Sequence, residues 1–445
     1  MSHVNQTELT RRNRMLNSPG MSCPTLANLS LDVLFTIATY LKVSSVLNLS
    51  ASSTYLRGIV TEDPSLWELF CVRDFRIKTN SFPRSAAGWL QMYKNMDSPI
   101  VLTWGVNDDG RLGQPASNWG NVLSPAPIDT TAFGKIVSMS CSGFGMHALN
   151  QRGEVWFWGR LGQYSRETPG TKVPLPEPCS SVSSGRTFGC ALGDSGAAYT
   201  WVVGQDARPH GIHVIRCDHV PSIFGGPSTV RTAKTIAAGW SHVAILLCDG
   251  AIKTCSIDRI RSMAEIDSFH LPGTSSDPIV HLAAGCDFTV ALSASGVVYL
   301  WRTIGGPPAA GADLHLRAEF DTQPGDVYSH VSACLHRLSL LDAASGRFRL
   351  LDMSHRRDIT PRWMTDRPHD QLAVVTHGDW HSGALLTNGQ VWTWGNGSCA
   401  LGLGNDRGSA VAEPRQIQHG LDGLFVFDIA FGGWHSAALA FRLEA

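Results

Sequence analysis

The stretch GDWHSGALLTNGQVWTWG, residues 378–395, constrains this chain more than any other, because imperfect copies of it recur along the last three quarters of the sequence. The copies align on an apolar pair: Ala148-Leu149, Ala191-Leu192, Ile245-Leu246, Ala291-Leu292, Ala384-Leu385 and Ala438-Leu439, with a degraded copy near Leu340-Leu341. Six residues before the pair stands Gly185, Gly239, Gly285, Gly378 or Gly432; the first copy has Ser142 there, with Gly143 beside it. Four residues after the pair comes Gly153, Gly196, Gly250, Gly296 or Gly389, then an alternating aromatic strand such as EVWFWG or QVWTWG. Each unit reads strand, tight Gly turn, strand, variable loop. Self-similarity at a period of about 45 to 55 residues marks propeller blades or a solenoid.

The aromatic strands are apolar on both faces. In EVWFWG, Trp156 and Trp158 point one way and Val155 and Phe157 the other. A strand apolar on both sides needs cover on both sides, and sheets stacked radially against neighbouring sheets supply it. The ends of the repeat region choose a closed ring over an open array. The last copy, GGWHSAALAF, stops before its W-x-W-G strand, whereas VLTWG at 101–105 is such a strand without a hairpin before it. Both ends building one composite blade gives a mainly β fold, a seven-bladed propeller closed by N- and C-terminal strands, with no exposed sheet edge. Counting the composite blade as the first, the sixth is the weakest: Cys334 stands where Gly is expected and Arg337 where His could be.

Residues 24–75 have a different grammar. LANLSLDVLFTIATYL places Leu31, Leu34, Ile37, Ala38 and Leu41 near helical spacing, with Ser30 as N-cap and Asp32 in the first turn. Further short helices fit SSVLNLSASS and TYLRGIV. A fourth starts at the Asp63 cap and Pro64, with Leu66, Trp67 and Phe70 as its stripe. Some fifty residues of short helices hold little core to offset chain entropy, so such a unit needs a partner. The expected organisation is a disordered lead (1–23), this small all-α domain (24–75), a linker (76–99) and the propeller (100–445).

The helical segment resembles the F-box, from LSLDVLFTIATYL through DPSLWELF. Ser30 replaces the Pro that usually follows the first Leu, Asp32 is the acid, and Trp67 lies in the closing helix. F-boxes bind the Skp adaptor of SCF ubiquitin ligases. The resemblance implies that Leu29, Leu31, Leu34, Ile37, Leu41 and Val46 face that adaptor. The repeats resemble the regulator-of-chromosome-condensation (RCC) family, with its G-x-x-H-x-x-A-L followed by G-x-V-(aromatic)-x-W-G. An F-box joined to an RCC-type propeller implies a non-enzymatic substrate receptor. Its partners would be the Skp adaptor and cullin of an SCF complex and an unknown protein target for ubiquitination. The propeller resemblance alone also allows a guanine-nucleotide exchange factor or a chromatin binder.

Composition narrows the choice. A net charge of -1 provides no global basic footprint, so nucleic acid is not an expected partner. The 11 cysteines are scattered without C-x-x-C or zinc-type spacing; together with a polar N-terminus lacking an apolar signal core, they point to a cytoplasmic or nuclear protein of reduced thiols. No apolar run of about 18 residues suggests a membrane span. No phosphate loop, nucleophile elbow, metal cluster or other catalytic constellation is present, so neither enzyme activity nor a cofactor is expected. His242, His381 and His435 share one repeat position and read as structural, bonded to backbone near the hub. Trp104, Trp158, Trp201, Trp301 and Trp394 end their strands alike and read as inter-blade packing. Binding is expected on the variable loops: 203–233, 302–326 and above all 352–371, where Arg356, Arg357, Arg362 and Trp363 suit a protein-binding hot spot. The same loop could instead be solvated around a buried anchor Trp.

Overall fold

The computed structural model describes residues 29–443 apart from 78–87, 115–119, 162–167, 204–211, 218–231, 262–267, 272–273, 303–307, 310–311, 317–318, 321–325, 343–344, 366–371, 397–398 and 405–409. The chain forms two compact units, Met1–Cys71 and Val72–Ala445. The expected disordered lead lies outside the described residues. The boundary falls inside the helix Pro64–Phe75, before the expected one at 75, and the segment expected as a linker contains the helix Gly88–Asn95.

The first unit holds the helices Leu31–Tyr40, Val43–Ser52 and Thr54–Glu62 and the start of Pro64–Phe75. Ser30 occupies the N-cap position of the first without a side-chain cap bond. Its carbonyl instead accepts from the Val33 and Leu34 N–H groups at 3.1 and 3.0 Å. The fourth start is chemically capped: Asp63 Oδ1 accepts from the Ser65 N–H at 2.9 Å. Trp67 donates its indole N–H to the Val60 carbonyl at 2.5 Å and meets Phe70 edge-on at 5.6 Å. No described helix is long and apolar enough to cross a membrane.

The second unit is a ring of seven sheets. The composite first blade runs, from the hub outwards, Leu424–Phe431, His435–Arg442, Ile100–Gly105 and Val122–Pro127. Its closure is a continuous antiparallel ladder from Ile100 opposite Ala440 to Gly105 opposite His435. Blades two to seven begin at the inner strands Ile136–Cys141, Cys179–Ser184, Ala233–Ala238, Ile279–Ala284, His330–Cys334 and Leu372–His377. Each inner strand contacts the next, and Leu372–His377 contacts Leu424–Phe431, which contacts Ile136–Cys141. The ring is closed, as the split repeat requires. Among the described residues blade five has three strands, and the bridge Tyr299–His315 lies outside them.

The core lies between sheets. One cluster joins Leu102 and Trp104 of blade one to Leu385 and Val391 of blade seven, and another joins Phe188 of blade three to Ile245 of blade four. This radial packing is why the aromatic strands are apolar on both faces. Val155, Phe157 and Trp158 are all buried, while Phe133 lies 5.0 Å from the Trp156 ring and 5.8 Å from the Trp158 ring. Each fully buried Phe or Leu of this kind contributes about 1.5–3 kcal/mol. Trp104, Trp158, Trp201, Trp301 and Trp394 are at most 5% exposed, and Trp104 donates across the blade one–seven junction to the Ala400 carbonyl at 2.9 Å.

At the hub, the turns between first and second strands bond to one another around the axis. Gly433 N–H donates to Ser142 O, Gly143 to Arg186, Arg186 to Trp240, Trp240 to Gly285, Cys286 to Leu335, and Asp379 to Gly432, at 2.7–3.2 Å. This close approach demands glycine: a Cβ on Gly432 would meet Ser142 O at 2.5 Å and the His435 ring at 2.6 Å. The junction from blade six to blade seven is made differently. There Arg337, at the position where five of the other blades carry His or Phe and blade two carries Gly145, donates its guanidinium to the carbonyls of Gly378 (3.2 Å), Asp379 (3.4 Å) and Trp380 (3.4 Å). Cys334 and Arg337 are thus a coupled departure from the repeat, in which a side chain replaces the backbone bond that glycine permits.

Two variants test these closures. Arg337→Ala, which leaves the three carbonyls without that donor, is expected to cost about 2–3 kcal/mol in chemical denaturation. Ala438→Asp, at a site 1% exposed opposite Leu102, places an unpaired charge in the closing ladder and is expected to abolish the cooperative thermal transition.

Candidate protein-binding face

The strand register sorts the loops onto two ends of the propeller. In each blade the second strand starts beside the end of the third: Gly145 opposite Gly159, His242 opposite Ser256, Arg337 opposite Asp352, His381 opposite Gly395. The hub turns and the loops leaving the third strands therefore share one end. Backbone bonds tie them together, Val106 N–H to Trp434 O and Asn396 N–H to Trp380 O at 2.8 Å, and Met353 N–H to His336 O at 2.7 Å.

The opposite end carries the tight Gly hairpins, and the chain following the fourth helix packs there. Arg76 grips Asp194 through two bonds of 2.6 and 2.8 Å and reaches the Gln151 and Cys179 carbonyls at 3.2 Å each. Lys135 pairs with Asp97 at 2.5 Å and lies over the Phe75 ring, which contacts Tyr93 at 5.0 Å.

The hub-turn end surrounds a cavity of about 210 Å³ at the mouth of the central channel, lined among others by Arg186, Cys334, His377 and Asp379. Arg186 reaches across from blade three to form an ion pair with Asp379 of blade seven. Its guanidinium also lies 4.1 Å from the Trp240 ring centre and 5.0 Å from that of Phe144. Burial pushes the Asp379 carboxyl up, against the pull of Arg186. Next to these, Trp380 and Trp434 stack at 5.7 Å and stay 41% and 40% exposed. An exposed, ordered aromatic pair beside charged groups has the composition of a protein-binding hot spot.

The three repeat histidines are buried and link second strands of neighbouring blades. His242 Nε2 meets Thr289 Oγ at 3.0 Å, His381 Nε2 meets Ser436 Oγ at 2.7 Å, and His435 Nε2 lies 3.1 Å from the Gly145 carbonyl. Two of the three partners are hydroxyls, not the backbone expected from the sequence. Blade two has Gly145 at this position. There His147, two residues on, meets Ser184 Oγ at 2.8 Å and accepts from the Trp201 indole at 3.1 Å. Burial lowers His242 to about 4 and His147, His377 and His381 to about 3, and holds His435 well below its ordinary range. No His/Cys/Asp/Glu group among the described residues could hold a metal, and no disulfide forms among them.

The loop residues singled out by sequence separate in space. Arg356 and Arg357 sit on the turn after Asp352, on the hub-turn end, and are exposed, with Arg356 at φ 51°. Arg357 Nε lies 3.4 Å from Asp352, and Arg356 lies 3.8 Å from Glu319. Arg362 and Trp363 belong to the short helix Arg362–Thr365, whose first N–H groups face Glu413. Trp363 meets the Trp392 ring at a tilt, with ring centres 4.3 Å apart, and packs against the blade six–seven core, so it is an anchor and not a free hot spot. Much of the other loops expected to bind, including 204–211, 218–231, 303–307, 321–325 and 366–371, lies outside the described residues. The sequence reading missed Arg186, Asp379, Trp380 and Trp434. The signal for the tryptophans was available, as the variable residue before the repeat His in GDWH and GGWH.

In the helical unit, Leu34, Ile37, Leu41 and Val46 converge with Leu49 and Leu66 on an apolar pocket of about 40 Å³. Val46 is 2% exposed and serves the unit's own interior, which corrects its expected role as an adaptor contact. Leu34, Ile37 and Leu41 are half-buried, as is Leu29; the Leu31 side chain lies outside the described set. The exposed apolar residues are instead Val33 (44%), Tyr40 (86%), Leu47 (47%) and Tyr55 (46%).

Comparison with known proteins agrees with this architecture. The Regulator of chromosome condensation (RCC1) repeat matches residues 100–149 and 388–439, the two stretches that flank the closure. The chain is similar to F-box protein pof9 of Schizosaccharomyces pombe, 25% identical over 93% of this chain and 89% of pof9. It is also similar to the ultraviolet-B receptor UVR8 of Arabidopsis thaliana, 24% identical over 69% of this chain and 76% of the receptor. Among solved structures, Prp20p from Saccharomyces cerevisiae superposes with a TM-score of 0.59 and 19% identity, covering 78% of this chain and 92% of Prp20p. The chain is a propeller protein with RCC1 repeats and an N-terminal helical region consistent with an F-box.

The buried histidines set a pH dependence. Their folded-state pKa values lie below the unfolded value near 6.5, so the unfolded chain binds more protons at acid pH. The stability they support is complete above about pH 6.5 and declines as pH falls towards 4, by about 1 kcal/mol for each histidine by pH 5.5. Thermal melts from pH 7.5 to 5 are expected to show a falling midpoint, and His381→Gln a shallower slope.

Proposed function

We propose that this chain is a non-catalytic substrate receptor of an SCF-type ubiquitin ligase, acting in the cytoplasm or nucleus. The helical unit docks to the Skp adaptor and through it to the cullin, while the hub-turn end of the propeller holds a protein target for ubiquitination and degradation. The receptor's contribution to ubiquitin transfer is proximity, holding target and charged enzyme together.

The observation that carries this reading is the order of parts in a chain similar to an F-box protein over 93% of its length: a small helical unit with exposed Val33, Tyr40 and Leu47, then a rigid ring. A helical unit of this size gains stability by covering such residues with a partner. A guanine-nucleotide exchange factor, the other activity the propeller resemblance allows, has support in a likeness to the guanine nucleotide exchange factor SRM1 of Saccharomyces cerevisiae, 24% identical over 68% of this chain and 67% of SRM1. That likeness covers less of this chain than the F-box protein does, and by fold alone it does not carry the activity.

Co-purification of the full chain with the Skp adaptor tests the proposal. Wild type is expected to bind. Val33→Arg with Leu47→Arg, two changes at exposed positions, is expected to weaken binding at least tenfold with an unchanged melt. Absence of wild-type binding, or retention by the double variant, counts against it.

A further inference from the structure

At blade six the outer layer of the hub-turn end is positive, and its negative charges lie beneath. Arg356 and Arg357 stand on the turn after the third strand with side chains 64% exposed. The carboxylates they face are sunk below them, Glu319 at 26% and Asp352 at 13%. Asp352 is also occupied from within the turn, accepting from the Ser354 hydroxyl at 2.6 Å and its N–H at 3.0 Å. Glu319 is shared with Arg302, 3.3 Å away. The ion pairs of Arg356 and Arg357 are long, 3.8 and 3.4 Å, so both guanidiniums keep N–H groups for a further acceptor. An approaching partner meets these cations first.

The same charge continues inward to the tryptophan pair. The Met353 N–H is bonded to the His336 carbonyl at 2.7 Å, so the arginine turn is fastened to the hub turn that carries Arg337. Arg337 reaches the Trp380 carbonyl at 3.4 Å, and Trp380 stacks on Trp434. Its hydrogen bonds go to carbonyls alone. Asp352 and Asp379 lie close enough to act on it, but Asp352 is bonded to Ser354 and Asp379 to Arg186. A guanidinium held only by carbonyls keeps its positive charge uncompensated. The exposed tryptophans therefore adjoin cations on the blade-six side.

We infer that Arg356, Arg357 and the Trp380–Trp434 pair form a docking surface for an acidic segment of the protein target. The two arginines bind its carboxylates, an apolar side chain of the same segment covers the tryptophans, and Arg337, tied to both turns, adds positive field. This rests on the substrate-receptor reading and names the chemical class of the target segment. Nucleic acid, the other polyanion, would need a longer basic track than two exposed arginines on a chain of net charge -1.

Fluorescence anisotropy of the full chain with labelled peptides of equal length tests the site. The peptides carry Glu with Leu, Arg with Leu, or Gln with Leu among Gly and Ser, and a labelled single-stranded DNA oligomer supplies the other polyanion. The Glu peptide is expected to bind wild type most tightly. Arg356→Gln with Arg357→Gln should lower that affinity roughly fivefold, and Trp380→Ala with Trp434→Ala should lower it by about as much. Raising the salt concentration about tenfold should weaken the Glu peptide and leave the Gln peptide nearly unchanged. Thermal melts of both double variants should match wild type, since all four side chains are exposed. Preference for the Arg peptide, the Gln peptide or the DNA, no binding by any probe, or a Glu-peptide affinity indifferent to either pair of substitutions overturns the site. None of these residues belongs to the helical unit, so failure of Skp-adaptor co-purification and failure of this site are told apart.

Discussion

Everything in the propeller depends on the ladder between Ile100–Gly105 and His435–Arg442. Seven twisted sheets around an axis have no stable free end, because an open ring would expose two apolar sheet faces and an unpaired edge. Closing inside a blade, not between blades, makes the ends of the repeat region share backbone hydrogen bonds as well as side-chain packing. Trp104 extends that closure sideways, packing on Leu385 and Val391 and bonding to Ala400 of the neighbouring blade.

A second, smaller ring of bonds sits inside the first. Six hub junctions are backbone to backbone, and these depend on glycines that let one turn's carbonyl approach the next turn's Cα. The seventh uses the Arg337 guanidinium. This replacement leaves the blade six–seven junction polar and partly exposed, and the residues beside it, Asp379 and Trp380, are those that reach into the channel mouth and onto the surface. The weakest repeat in the sequence thus adjoins the most distinctive surface of the fold. Arg186, bridging to Asp379 across the mouth, ties that surface to the opposite side of the ring.

The two ends of the propeller are used unequally. Arg76, Lys135 and Asp97 fasten the chain that precedes the ring to its hairpin end. The hub-turn end carries Trp380, Trp434 and the loops of third-strand exit, including Arg356 and Arg357. Rigid strands hold these turns in place, so the cost of ordering them is met in folding.

The seven blades, their split closure and the burial of the strand-ending tryptophans were legible in the sequence, because each follows from local periodicity: alternation along a strand, Gly at a turn, and a missing strand at one end supplied at the other. The shared repeat position of His242, His381 and His435 was legible for the same reason, although Thr289 and Ser436, the hydroxyl partners of two of them, were not. Trp363 read as either hot spot or anchor until its contact with Trp392 decided it, and Val46 read as an outward contact until the helices folded it inward. The pairing of Arg186 with Asp379, 193 positions apart, and the stacking of Trp380 on Trp434 could come only from tertiary structure. Periodicity records what each residue does within its own blade, whereas the chemistry of the mouth arises where turns from different blades meet, at distances along the chain that no local pattern encodes.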